Sequence, residues 1–148
     1  YVESEKRGNI MEQKLVDYIN AQRKESEEFS KQPGCWMGSM VEPTDTEYWN
    51  DRVPSGTLAE FNRIELEESA YYCVADAYSK SYARSIDFAS MTDEELDAEI
   101  EDACDTMKRE QEWEKQMEKD AIEEELKLAD SLGIDVPTLQ RWIQQEAA

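Results

Sequence analysis

Apolar residues recur at helical intervals over most of the chain, and the points where that rhythm starts and stops divide it into segments. Met11, Leu15, Tyr18, Ile19 and Phe29 mark one face of a first helix. Asn9 followed by Glu12 reads as a capping box at its start, so a helix is predicted over 9–31. Gln32-Pro33-Gly34 ends it. The stretch 32–56 then holds three of the four prolines, three of the five glycines, and Trp36 and Trp49, which predicts an irregular loop in which both tryptophans are expected to be buried against the helices.

Three further helices follow from the same logic. Thr57 to Glu60 forms a second capping box, and Leu58, Phe61, Ile64, Tyr71, Val74, Tyr78 and Tyr82 carry a core helix over 57–88. Its middle, AYYCVADAY, is apolar on nearly every side. That predicts cover from more than one direction, with the tyrosines serving core packing and not base stacking, since no basic cluster accompanies them. Thr92 to Glu95 opens a long helix over 92–131, whose stripe of Leu96, Ile100, Cys104 or Ala103, and Met107 should dock on the core helix. In residues 108–120 the stripe thins to Trp113 and Met117, so this part is expected to project into solvent or to meet a partner through that pair. A C-terminal helix over 136–146 is entered through Asp135 as cap, with Pro137 tolerated in its first turn. The prediction is an all-α single domain over 1–148, a bundle of three to four helices with a long acidic helix and an irregular loop at about 32–56.

Charge changes this picture more than composition does. The 148 residues include 36 acidic and 16 basic ones, a net charge of −20. Such a surface repels nucleic acid and anionic membranes and attracts basic partners. Residues 93–126 alone hold sixteen acids and four bases. As one helix they span roughly 51 Å, one carboxylate per ~3.2 Å, against one phosphate per ~3.4 Å along each strand of duplex DNA. Salt bridges to Lys108, Arg109, Lys115 and Lys119 would cancel some of that density.

Several function classes lose their means. There is no histidine, which removes the commonest general base and metal ligand. Cys35, Cys73 and Cys104 are too widely spaced for a zinc site or a disulfide framework and are expected to be reduced thiols. No EF-hand loop, P-loop or dinucleotide fingerprint occurs, so no cofactor or specific metal is expected, and no enzyme activity. No apolar run reaches the ~18 residues of a membrane span, and the N-terminus lacks the apolar run of a signal peptide, so a cytoplasmic protein of a bacterial host cell is expected. Tyr1 opens the chain while Met11 would suit a natural start; residues 1–10 are read as vector-derived, as an alternative start or as a processed end.

In composition and charge spacing the chain resembles the acidic DNA-mimic inhibitors of phages and plasmids, of the anti-restriction and anti-CRISPR type. That resemblance implies a non-catalytic protein that occupies the nucleic-acid-binding surface of a basic host defence or nucleic-acid enzyme, without binding nucleic acid or membrane itself. The residues expected to carry it are Asp93, Glu94, Asp97, Glu101, Asp102, Asp105, Glu112 and Glu123, with Trp113 and Met117 as apolar anchors. Residues 121–143 also resemble a helix-turn-helix, through A-x-x-L-G-I at Ala129–Ile134 and T-L-x-R-W-I at Thr138–Ile143, with Ile134, Leu139 and Trp142 expected to be buried. A regulatory or assembly protein of that kind would offer Thr138, Gln140, Arg141 and Gln144 to a duplex. A tight structural corner asks for the same residues. A third reading is a structural oligomer or homodimer paired through Trp113 and Met117.

Overall fold

The computed structural model describes residues 10–147. Among them are six α-helices, one 3-10 turn and no strand: α1 (Gln13–Ser30), α2 (Thr46–Arg52), α3 (Leu58–Ala77), α4 (Lys80–Arg84), the 3-10 turn η1 (Phe88–Ser90), α5 (Asp93–Leu132) and α6 (Val136–Ala147). The all-α class follows the hydrophobic pattern. Two departures from it are instructive.

The first lies in the expected loop. Residues 46–52 form α2, because the Asp45 carboxylate accepts the Tyr48 N–H as an N-cap and Trp49 buries its ring in the core. The Trp49 indole N–H donates to the carbonyls of Val41 (3.3 Å) and Glu42 (2.9 Å), so the preceding extended segment is tied to the same ring. The second lies at Tyr78. The expected core helix stops at Ala77, and Ser79 caps α4 by accepting the Tyr82 N–H. No glycine or proline marks this break; a serine that competes for backbone donors makes it.

Helix α3 is shared between two apolar clusters. Its N-terminal end contributes Phe61 to a cluster with Leu15 and Ile19 of α1, Trp49 of α2 and Val53. Its C-terminal end contributes Ala70, Val74 and Ala77 to a second cluster with Ala83, Phe88, Leu96 and Ala103. The alanines matter because small side chains let the α3 and α5 backbones approach closely, and the larger Ile100 and Met107 fill the flanks. Leu96 and Ala103 are fully buried, while Cys104 is half-buried at the edge.

Capping explains the helix starts. Thr57 accepts the Glu60 N–H (3.2 Å) and Thr92 accepts the Glu95 N–H (3.1 Å), as the two boxes predict. Glu60 itself turns to the Ser55 N–H instead of closing its box. In the first expected box Asn9 lies outside the described residues, and Glu12 does different work: its carboxylate accepts the Leu58 N–H at the start of α3, and its own N–H donates to the Gly56 carbonyl at 2.7 Å. Gly56 has φ +68°, and a Cβ there would press on the backbone of Ile10 and Met11 at 3.1–3.2 Å.

Candidate interaction surface

The acidic helix is anchored at one end only. Arg63 of α3 pairs with Asp93 (2.6 Å) and Glu67 (2.9 Å), and also donates to the carbonyl of Met91. These partners hold its pKa above the ordinary arginine value, Asp93 first. The Tyr78 hydroxyl donates to Asp102 (2.8 Å) and lies 3.1 Å from the Thr106 hydroxyl, tying the end of α3 to α5. Beyond Met107 the support ends. Every residue from Lys108 to Glu124 is exposed.

The carboxylates singled out from sequence therefore divide into two groups. Asp93 and Asp102 bond within the fold, Asp93 to Arg63 and Asp102 to Tyr78. Glu94, Asp97, Glu101, Asp105, Glu112 and Glu123 are exposed and make no side-chain hydrogen bond or ion pair among the described residues. The salt bridges expected from Lys108, Arg109, Lys115 and Lys119 are not formed among the described residues, although Arg109 donates to the Thr106 hydroxyl. At about 100° per residue, Glu94, Glu101, Asp105, Glu112, Glu123 and Asp130 fall within about 40° of one another around the helix axis, on the side away from Leu96 and Ala103. They form one line roughly 54 Å long, interrupted by Lys119. Asp130 belongs to this line by its spacing from Glu123, and a count confined to residues 93–126 passes it over.

Trp113 and Met117 are one turn apart on this free stretch, 64% and 50% exposed. The tryptophans of the expected loop part company: Trp49 is buried, as expected, but Trp36 is 82% exposed, a correction to the sequence reading. The tyrosines need a similar correction. Tyr71 packs against the second cluster, whereas Tyr72, Tyr78 and Tyr82 are exposed.

At the far end α5 turns into α6 through Gly133, at φ +67°, whose neighbour Ile134 donates its N–H to the Ala129 carbonyl. Asp135 accepts the Thr138 N–H at 2.9 Å, and bonds from Thr138 hold its carboxyl below the usual range. Leu139 and Ala129 are buried between the helices and Ile134 is half-buried, but Trp142 is 50% exposed, contrary to the helix-turn-helix expectation, because α6 has only α5 to lie on. Three of the four side chains proposed to read a duplex bond within the hairpin: Gln140 donates to Glu125 (3.3 Å), and Arg141 donates to the Thr138 hydroxyl (3.1 Å). Gln144 is exposed.

For other chemistry the geometry offers little. Cys73 and Cys104 are free thiols on facing helices, and burial, then the neighbouring Cys104, pushes the Cys73 thiol up from its ordinary pKa. Among the described residues no three cysteine, aspartate or glutamate side chains converge as a metal site, and no helix is long and apolar enough to cross a membrane. No family model, curated protein or solved structure matches the chain.

Proposed function

We propose that this is a non-catalytic acidic interaction protein, and that the outward carboxylates of α5 occupy the basic, nucleic-acid-binding surface of another protein, as a DNA mimic would. The observation that carries this reading is the line of six exposed, unpaired carboxylates on a helix whose base is fixed to the core. Four to eleven residues separate successive members, roughly 6–16 Å of rise. The Debye length at physiological salt is ~8 Å, so the potentials of members about 6–11 Å apart overlap, and two negative stretches on either side of Lys119 would meet lysines and arginines selected for phosphates. A preformed helix needs no ordering on docking, which favours fast, electrostatically steered association.

Affinity capture from bacterial lysate at ~50 mM salt, with elution at ~500 mM, tests the reading. It predicts salt-released basic nucleic-acid-binding proteins. The triple variant Glu101→Lys, Asp105→Lys, Glu112→Lys should weaken the captured partner's binding more than tenfold while keeping the helix content, because all three side chains are exposed and unpaired. Unchanged affinity in that variant would sink the reading.

A further inference from the structure

Helices α3 and α5 meet through small residues, and the two flanks of that meeting differ. Ala70, Val74 and Ala77 of α3 share one cluster with Leu96 and Ala103 of α5. At about 100° per residue, Tyr78 falls about 80° to one side of Ala70 and Cys73 about 60° to the other. On α5, Thr106 falls about 80° to one side of Leu96 and Cys104 about 80° to the other. Bonds between the Tyr78 hydroxyl and the side chains of Asp102 and Thr106 close the first flank. The second flank therefore brings Cys73 and Cys104 to the same side of the crossing. Both are half-buried free thiols, so their sulfurs stay within reach of a small solute. Burial first, then the adjacent Cys104 and lastly Asp76, push the Cys73 thiol up from its ordinary pKa. Cys35 stands apart, on the segment after α1, with its thiol 3.9 Å from the Gln32 side-chain oxygen.

We propose that Cys73 and Cys104 are a reversible oxidation site, at which a small disulfide such as oxidised glutathione converts the two thiols into a covalent bond between α3 and α5. The exchange balances. A Cys104 thiolate attacks one sulfur of the small disulfide, forms a mixed disulfide and expels one thiolate. Cys73 then gives up its proton and attacks the Cys104 sulfur, forming the interhelical bond and expelling the second thiolate. The two cysteines are oxidised, the small disulfide is reduced to two thiols, and the protons shed by the cysteines end on those thiols. Burial sets the order, because a thiol held protonated resolves a neighbour's mixed disulfide more readily than it starts an exchange. Such a bond needs Cα atoms within about 7 Å of each other, and the buried alanines at positions 70, 77 and 103 supply the close approach. The bond closes a loop that contains α4 and η1, so it removes freedom from the unfolded chain and fixes the base of the acidic helix. It does so whatever the carboxylate line binds.

Oxidation of the folded, fully reduced chain in glutathione buffers of falling reduced-to-oxidised ratio tests it. Titratable thiols should fall from three to one. The mass should drop by about 2 Da, and a non-reducing digest should yield one cross-linked peptide pair, holding residues 73 and 104. In urea the oxidised chain should unfold with an equilibrium constant at least about thirtyfold smaller, an advantage lost on reduction. Cys35→Ser should change only the number of thiols left over. In that background Cys73→Ser should stop at a mixed disulfide on Cys104, and Cys104→Ser should react more slowly, through Cys73 alone. Three thiols persisting in fully oxidised glutathione, or mixed disulfides that never resolve in the unaltered chain, would overturn the proposal. So would a cross-link that includes Cys35, or a bond between Cys73 and Cys104 that lowers the urea midpoint.

Discussion

The two halves of α5 are one unbroken helix, and the more acidic of them, with eight acids and no base against nine acids and five bases, is the one built into the molecule. The half from Asp93 to Met107 presses Leu96 and Ala103 into the core, and two of its carboxylates bond to Arg63 of α3 and to Tyr78 just past its end. The half from Lys108 to Leu132 buries nothing but Ala129, under α6. Charge density does not reveal which half is structural. The apolar stripe does, and where it lapses the helix is held by its own backbone bonds, by side-chain pairs such as Gln116 with Asp120, and by the proximal half as nucleus.

Unfolding measurements can sharpen that contrast. Leu96→Ala should cost about 2–5 kcal/mol in urea denaturation, since it opens a cavity between α3 and α5, whereas Met117→Ala should stay within about 0.5 kcal/mol. Equal costs would mean that the distal half is covered in solution. Gly133→Ala comes next. A Cβ at Gly133 meets nothing within 4 Å, so only the left-handed backbone resists it, at about 1 kcal/mol. Hydrogen exchange should show the loss confined to α6 and the last turns of α5, and a global loss would show that the hairpin is coupled to the core.

A further small effect is expected at the middle of α3. Arg52 of α2 pairs with Glu68 (2.5 Å) and Glu65 (2.7 Å), and its bonds hold the Glu68 carboxyl below the usual carboxylate range. A depressed carboxylate stabilises the fold fully above its unfolded value, near pH 4.5, and loses that contribution as pH falls through the folded value. Arg52→Ala should therefore cost under about 1 kcal/mol at pH 7, given how much of both glutamates stays in water, and the difference from wild type should shrink below about pH 4.5. A difference constant down to pH 3 would show that the arginine acts through packing of its stem.

Much of this was legible in the sequence, for reasons that can be assigned. Residues 92–131 and 136–146 are readable because threonine, aspartate and glycine caps act locally and no glycine or proline breaks the run from Thr92 to Ser131. The split at Tyr78–Ser79 is not, because a tyrosine stripe keeps helical spacing across a break. Helix α2 is hidden among prolines and glycines, and its one local signal is Asp45 as a cap before TEYWNDR. Of the site, the exposed carboxylates could be named from spacing. Their division into paired and unpaired could not, since it depends on Arg63 of α3 and on Tyr78 beyond its end reaching across to α5, contacts separated by 24–30 residues.

The four tryptophans turn these surfaces into separate optical reporters. Trp49 sits in the first cluster, Trp36 on the extended segment, Trp113 on the acidic shaft and Trp142 on the hairpin, each in a different degree of contact with water. An indole's emission follows the polarity around it. In single-tryptophan chains, a blue shift at position 113 would record a guest on the shaft, while position 49, already buried, should keep its emission unchanged.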